Sequence, residues 1–223
     1  MYLSRLILNP HHRRVQREIA NPYQMHKTLM RCFPDDLNRE RDRVLFRVET
    51  DTRTGIPTAL LQSTLEPQWG WLGNDGARGY LLPAHLLPPG VTQNPDTKSF
   101  NLHLAPGQVL AFRLRANPTV KRKFESGDRK RVGIYGEEKQ REWLKRKGEQ
   151  SGFRLLSARV TDRGNVGGRV RRAGKTHQLK LLAVQFDGRL QVTDPERLRQ
   201  SVRQGIGSGK GLGFGLLSLA RPT

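Results

Sequence analysis

A tyrosine and a histidine three positions apart have the side chains and the spacing for acid–base chemistry. Tyr23 and His26 lie in segment 21–27, Asn-Pro-Tyr-Gln-Met-His-Lys. Its asparagine suits the N-cap of a helix and its proline suits the first helical position. Residues three apart on a helix are neighbours on its surface. Histidine exchanges a proton near neutral pH, so it can serve as a base or as an acid.

Such a pair could cut RNA, because RNA carries its own nucleophile. A base that removes the 2′-hydroxyl proton and an acid that protonates the leaving 5′-oxygen are sufficient without a metal. Tyr23, Lys27 and Arg31 form an i, i+4, i+8 row that could hold a phosphate on the same helix. The alternative is an ordinary surface histidine, because spacing motifs often match by chance.

Other catalytic chemistries find little support in the sequence. A two-metal nuclease needs clustered carboxylates, whereas the acidic pairs at 35–36 and 137–138 are isolated and suit helix termini. The chain has one cysteine, Cys32, which excludes an internal disulfide and a cysteine-rich zinc site. We expect Cys32 to be a small core residue, and we expect no metal and no cofactor.

Glycine occupies every second position from Gly205 to Gly215, just before an apolar strand. The spacing fits neither a P-loop nor a dinucleotide-binding fingerprint. Because glycine lets another backbone approach closely, we expect a surface against which a phosphodiester backbone lies, with Lys210 as its cation. A flexible linker is the alternative.

The net charge of +20 is concentrated in the second half of the 223-residue chain. Up to residue 111 there are 13 basic and 10 acidic residues, and from residue 112 there are 27 and 10. Such asymmetry indicates a polyanionic partner, most often nucleic acid. No apolar run is long enough for a membrane span and the first residues lack a signal-peptide layout, so we expect a cytoplasmic protein without a membrane partner.

The pattern of elements predicts an α+β protein. In the first half, strands are expected at Tyr2–Leu8, Arg43–Glu49, Pro57–Thr64 and Lys98–Leu104, with a helix at Pro22–Cys32 and a poorly marked second helix. In the second half, strands are expected at Val109–Arg115, Phe153–Thr161 and Thr176–Phe186, with a last one after the glycines. Helices are expected at Glu137–Lys147 and from Asp194 to Gln204. We interpret Lys121–Gly133 as a mobile basic loop and the segment between residues 161 and 176 as the basic tip of a hairpin. Each half therefore has the βαββαβ order of a ferredoxin-like (RRM-like) domain, with residues 1–107 as the first domain and 108–223 as the second.

Four motifs carry a resemblance to a known family. They lie at residues 2–10 (Tyr-Leu-Ser-Arg-Leu-Ile-Leu-Asn-Pro), at 22–26, at 112–119 (Phe-Arg-Leu-Arg-Ala-Asn-Pro-Thr), and at 205–210 together with 217–221. In order and spacing the chain resembles, over essentially its whole length, the CasE type of CRISPR repeat-processing endoribonuclease.

The resemblance implies two ferredoxin-like domains that bind the hairpin of a CRISPR precursor RNA and cut at the 3′ side of its base. The family works without metal, leaves a 2′,3′-cyclic phosphate or its opened product, and retains the mature crRNA as a subunit of the Cascade surveillance complex. Its catalytic histidine and tyrosine fall on His26 and Tyr23, with the roles of base, acid and orienting group left open.

The resemblance also implies residues that grip the RNA. A basic β-hairpin and nearby loops do so in the family, and the glycine-rich loop has its counterpart here. With the helix row, the predicted RNA-binding residues are Lys27, Arg31, Arg129, Lys130, Arg131, Arg159, Arg169, Arg171, Arg172, Lys175, Gly207, Gly209 and Lys210.

Two other functions compete with the nuclease interpretation. A non-catalytic RNA-binding subunit would use the same basic half, with Tyr23 and His26 only packing. A general nucleic-acid or ribosome-associated binder would show little preference for a hairpin.

Overall fold

The computed structural model describes residues 1–38, 41–73, 77–123, 127, 129–172 and 175–222, and within these it leaves out the side chains of residues 169–172 and 175–179. The described residues form two compact units. The first comprises Met1–Asn101, Gly167–Leu179 and Gly211–Gly213, and the second comprises Leu102–Val166, Lys180–Lys210 and Phe214–Thr223. The predicted domain boundary at residue 107 stays a prediction.

The first unit is built on a four-stranded antiparallel sheet. Its strands are β1 (Tyr2–Ile7), β2 (Val44–Thr50), β3 (Pro57–Ser63) and β4 (Asp96–Ser99), in the order β2-β3-β1-β4. Helices α1 (Arg13–Ala20) and α2 (Pro22–Met30) follow β1, and short 3₁₀ turns lie at Gly70–Gly73 and Ala84–Leu86. The strand order is that of a ferredoxin-like sheet, as predicted.

The core of this unit joins the sheet to the helices. Its buried residues include Leu6, Leu8, Met25, Leu29, Phe46, Leu61, Trp71 and Tyr80. Met25 and Leu29 are one turn apart on α2 and lie fully buried, which confirms the apolar stripe predicted for that helix. Cys32 is buried with them, as expected.

The second unit contains the other ferredoxin-like sheet. Its strands are β5 (Val109–Ala116), β8 (Phe153–Arg172), β9 (Lys175–Val192) and β10 (Leu217–Ala220), in the order β10-β5-β9-β8. The part of β8 from Gly167 onward and the part of β9 up to Leu179 belong to the first unit. Helices α3 (Glu137–Gln150) and α4 (Pro195–Gln204) complete it. Asp194 caps α4 by accepting a hydrogen bond from the Arg197 N–H at 3.0 Å, as the sequence predicted.

Two of the predicted segments differ from the structure. The prediction of a mobile basic loop at Lys121–Gly133 is wrong, because most of this segment lies in a two-stranded ribbon of β6 (Thr119–Lys123) and β7 (Arg129–Gly133). The last strand of the first half is Asp96–Ser99 rather than Lys98–Leu104, because it pairs with β1 from Tyr2↔Ser99 to Arg5↔Asp96.

The second helix of the first half is the weakest part of the predicted pattern. In the described residues between β3 and β4, the helical backbone includes the 3₁₀ turns at Gly70–Gly73 and Ala84–Leu86. The glycines and prolines of this stretch disfavour a longer helix.

Candidate active site and RNA-binding surfaces

Helix α2 carries both predicted catalytic residues. Asn21 accepts a hydrogen bond from the Tyr23 N–H at 3.3 Å and so caps the helix, and Pro22 occupies its first position. Tyr23 and His26 are half-buried, and helical geometry puts them on adjoining turns. The structure therefore brings the two residues together on one rigid element.

The imidazole of His26 packs against a fixed aromatic ring. Its centroid lies 6.3 Å from that of Phe46, with 17° between the two ring planes. Phe46 belongs to β2 and is 1% exposed, so it cannot move without disturbing the core. Stacking at this separation is favourable, and it restricts the orientation of the histidine ring.

Part of the glycine segment lies beside the same histidine within the first unit. A Cβ built on Gly211 would lie 3.7 Å from both Cε1 and Nε2 of His26, and a Cβ on Gly213 would lie 3.3 Å from the Phe46 ring. Gly213 also has a φ of +83°, which favours glycine. Glycine is thus favoured at position 213 by its backbone and by the nearby Phe46 ring, whereas a methyl group at position 211 would only contact the histidine.

The other glycines of this segment also pack closely against the protein. In the second unit, a Cβ on Gly207 would lie 3.3 Å from the Trp143 ring and one on Gly209 would lie 3.0 Å from the Phe214 ring. The predicted close approach is therefore present, but protein side chains account for it at these positions. Contacts of Gly207 and Gly209 with RNA stay a prediction.

A buried polar cluster connects α1 to α2 in the first unit. Glu18 accepts hydrogen bonds from the Arg14 Nε at 2.7 Å, the Tyr80 hydroxyl at 2.6 Å and the Thr28 hydroxyl. Arg14 Nη2 also donates to the Thr28 Oγ1 at 2.6 Å. Burial, followed by the negative charge of Glu18, raises the pKa of Tyr80, which therefore remains a donor. A buried carboxylate with several donors holds its neighbours in one arrangement.

Sequence reasoning missed this cluster. The i, i+4 spacing of Arg14 and Glu18 is a signal for a surface pair, but it does not indicate burial. Tyr80 and Thr28, which complete the cluster, come from other segments of the chain.

A basic groove runs along α1 and α2, and we call it the α1–α2 groove. It encloses about 750 Å³ and is lined by Arg14, Arg17, Glu18, Ala20, Asn21, Gln24, Lys27, Thr28 and Arg31. Lys27 and Arg31 face this groove as two of its cations, and the Arg31 guanidinium also lies 5.2 Å from the centroid of the Trp71 ring. The two predicted RNA-binding residues of the helix therefore share a surface, whereas Tyr23 and His26 are outside its lining.

The β6–β7 ribbon is the most basic element of the second unit. Cations face one another in the pairs Lys121↔Arg131, Arg122↔Lys130 and Lys123↔Arg129, and all six residues are exposed. Like charges directly opposite one another destabilise a pair of strands. A bound polyanion would remove that cost, which supports the predicted role of Arg129, Lys130 and Arg131.

A smaller pocket in the second unit brings this ribbon together with the glycine segment. It encloses about 330 Å³, and its lining includes Lys121, Arg131, Lys147, Gly207 and Lys210. Arg131 was predicted to bind RNA from one stretch of sequence, and Gly207 and Lys210 from another. Lys121 and Lys147 were not among the predicted RNA-binding residues, although Lys121 begins one of the two basic triplets of the predicted basic loop.

The long hairpin of β8 and β9 carries the other predicted RNA-binding residues. Arg159 is exposed on β8. The side chains of Arg169, Arg171, Arg172 and Lys175 lie outside the described part of the structure. Within the first unit the hairpin passes close to α2, because a Cβ on Gly168 would lie 3.1 Å from the Asn21 Oδ1.

Several alternative chemistries lack a geometric basis in the described residues. Burial raises the pKa of the Cys32 thiol to about 12, so it is a poor nucleophile at neutral pH. Within the described ranges, no three His, Cys, Asp or Glu side chains are grouped so that they could hold a metal ion. No helix in the same ranges is long and apolar enough to cross a bilayer.

Known proteins resemble this chain along almost its whole length. The family model described as CRISPR associated protein matches residues 1–221. The chain is 41% identical to the CRISPR-associated endoribonuclease Cse3 of Thermus thermophilus, over 99% of this chain and 100% of that protein. It is 33% identical to the CRISPR system Cascade subunit CasE of Escherichia coli, over 99% of each. Its structure is similar to that of Cse3 bound to a 19-nucleotide RNA, with a TM-score of 0.80 and 37% identity over 99% of this chain and 100% of that one.

Proposed function

The chain belongs to the CRISPR-associated protein family, and on that basis we propose that it is a metal-independent endoribonuclease that cuts CRISPR precursor RNA at the base of the repeat hairpin. The observation that carries the proposal is the placement of His26 on α2, beside Tyr23 and stacked on the buried ring of Phe46. The relatives named as an endoribonuclease and as a Cascade subunit match over almost their full length, which supports the same activity and the same assembly for this chain.

The reaction is an internal transfer at phosphorus. A base removes the 2′-hydroxyl proton, the 2′-oxygen forms a bond to phosphorus, and the bond from phosphorus to the 5′-oxygen breaks. An acid protonates the leaving 5′-oxygen, so the products are a 2′,3′-cyclic phosphate and a 5′-hydroxyl. His26 and Tyr23 carry out these proton transfers and orient the reacting groups. The same products form whichever of the two residues acts as base and whichever acts as acid.

Positioning contributes a large share of the rate. Acid–base catalysis supplies about 10² to 10⁴-fold, and holding the reacting oxygen in line with the scissile bond supplies much of the rest. A histidine that stacks on the buried Phe46 ring is suited to such a mechanism, because the stacking restricts the orientation of its imidazole.

The basic surfaces hold the RNA hairpin before and after cleavage. The β6–β7 ribbon and the pocket that contains Lys210 offer exposed cations for the phosphate backbone, and phosphate contacts supply much of the affinity. Retention of the mature crRNA makes the protein a lasting subunit of Cascade. Precursor RNA, mature crRNA and the other Cascade subunits are thus its partners, and the cytoplasm is its location.

Cleavage in excess EDTA tests the proposal. The substrate is an end-labelled repeat hairpin from the source organism, and the control is the same RNA with one 2′-deoxy substitution at the cut site. We expect the wild-type protein to cut only the first RNA, and His26→Ala to bind it with nearly unchanged affinity without cutting it. Binding with no cleavage of either RNA, even after metal is added, would instead identify a non-catalytic RNA-binding subunit.

A further inference from the structure

The α1–α2 groove carries positive charge that the chemistry at His26 does not use. Within the described part of the chain, the ion pairs include Arg14 with Glu18, and none of them involves Arg17, Lys27 or Arg31. Glu18 is already satisfied by Arg14, Thr28 and Tyr80. The groove therefore presents a net positive surface to solvent.

We propose that the α1–α2 groove binds the single-stranded RNA that continues on the 3′ side of the cut. This inference rests on the proposed function, because it requires the scissile phosphate to lie at His26. Lys27 follows His26 directly on α2, and Arg31 lies one turn farther, about 6 Å along the helix axis. A strand leaving the scissile phosphate can thus meet these cations within its first nucleotides.

The shape and lining of the groove favour one strand over a duplex. A space of about 750 Å³ accommodates a short run of unpaired nucleotides. Arg17 on α1 lines it together with Lys27 and Arg31, so a backbone in the groove would meet cations from both helices. The amide groups of Asn21 and Gln24 can donate and accept hydrogen bonds, as recognition of unpaired bases and 2′-hydroxyls requires.

The lining favours RNA over a protein segment. Protein partners usually anchor through aromatic or aliphatic side chains that fill apolar pockets, whereas Ala20 is the only apolar residue among the described residues that line the groove. The groove also reaches Asn21, whose side chain approaches Gly168 of the β8–β9 hairpin. It is therefore continuous with an element that we expect to bind the RNA stem.

Binding of two uncleavable RNAs tests this inference. Both carry the hairpin, and one continues with a short 3′ flank past a 2′-deoxy cut site while the other ends at the cut. We expect wild-type protein to bind the flanked RNA several-fold more tightly. Arg17→Ala should remove most of that preference without changing the affinity for the hairpin alone. For the flanked RNA it should also lower the salt slope, meaning the slope of log K against log salt concentration, by about one.

One further variant is a control, and a second one tests an uncharged residue of the groove. Arg146→Ala removes an exposed arginine of α3 and should leave the flank preference intact. Gln24→Ala changes an exposed groove residue without changing the charge. We expect it to weaken binding of the flanked RNA but not of the RNA that ends at the cut. Circular dichroism and thermal unfolding should match the wild-type protein for each variant.

Three outcomes would overturn the inference. In the first, the wild-type protein binds both RNAs with equal affinity. In the second, Arg17→Ala lowers the affinity for both RNAs equally. In the third, Arg17→Ala binds both RNAs normally but fails to assemble with the other Cascade subunits. The last outcome would assign the groove to an acidic protein partner. Failure of any of these tests is distinguishable from failure of the proposed function, because cleavage of the all-ribose hairpin in EDTA is scored separately.

Discussion

Gly211 stands beside the imidazole of His26, so that a methyl group on its Cα would lie 3.7 Å from both Cε1 and Nε2. That distance is an ordinary van der Waals contact, and the φ of Gly211 is not in the left-handed region. The position can therefore accept a side chain without backbone strain. It is nevertheless next to Nε2 of His26, one of the two ring nitrogens that can exchange a proton with a reacting oxygen.

Gly211→Ala should fold normally and cut slowly. Proton transfer needs a reacting oxygen within about 3 Å of the imidazole nitrogen, and a methyl group at residue 211 competes for that space. We expect the single-turnover cleavage rate to fall about tenfold or more while the Kd for RNA stays the same. Gly73→Ala is a matched control, because its added Cβ would meet nothing within 4 Å. Equal rates for the two variants would contradict the prediction.

Tyr80→Phe should destabilise the first unit. The substitution removes the donor that lies 2.6 Å from the Glu18 Oε2, and a buried hydrogen bond to a charged group is worth about 1.5 to 3 kcal/mol. We expect the free energy of unfolding in urea to fall by that amount. Tyr135→Phe provides the comparison, because Tyr135 is 59% exposed and its substitution should have little effect. A midpoint unchanged in Tyr80→Phe would show that the cluster does not support the fold.

Cys32 should resist alkylation in the folded protein. Burial raises the pKa of its thiol from 9.0 to about 12, so almost none of it is thiolate at pH 8. We expect iodoacetamide to modify Cys32 only after unfolding, as measured by intact mass. Because the folded-state pKa is raised, the contribution of this thiol to stability is complete below pH 9 and decreases as the pH rises toward 12. Rapid modification of the native protein at pH 8 would refute the assignment.

Arg122→Glu should stabilise the β6–β7 ribbon and weaken RNA binding. Arg122 lies opposite Lys130, and an opposite-charge cross-strand pair contributes about 0.2 to 1 kcal/mol. We expect the Kd for the repeat hairpin to rise more than tenfold at low salt and the salt slope to decrease by about one to two. Arg146→Glu introduces the same charge change on α3 and should have a smaller effect. The two variants would behave alike if only net charge attracted the RNA.

The helix that carries the proposed chemistry could be predicted because its signals are local. Asn21 and Pro22 determine where α2 begins, and Met25 and Leu29 determine which side it buries. The ferredoxin-like strand order was likewise inferred from the succession of elements. Both inferences depend on short-range preferences that remain valid in the folded protein.

The β6–β7 ribbon could not be predicted in the same way. Its strands contain facing cations such as Lys121 and Arg131, and repulsion between them disfavours the pairing that the structure contains. Composition therefore indicated a loop. A bound polyanion would offset this repulsion, but nothing in the residue composition indicates that the two strands pair.

The surroundings of the glycine segment also lay beyond sequence reasoning. The period-two glycines indicated a close approach, but three of the approaching groups, Trp143, Phe46 and His26, come from distant parts of the chain. The burial of Glu18 depends in the same way on Tyr80, 62 residues later. Long-range partners of this kind become known only when the fold is known.

Residues 211–213 belong to the first unit, although the segments on either side of them belong to the second. The environment of His26 is therefore completed by residues synthesised almost two hundred positions later. A fragment that ends before residue 211 therefore lacks Gly211 and Gly213, which lie beside His26 and Phe46. The N-terminal part of the chain cannot by itself complete the surroundings of its own histidine.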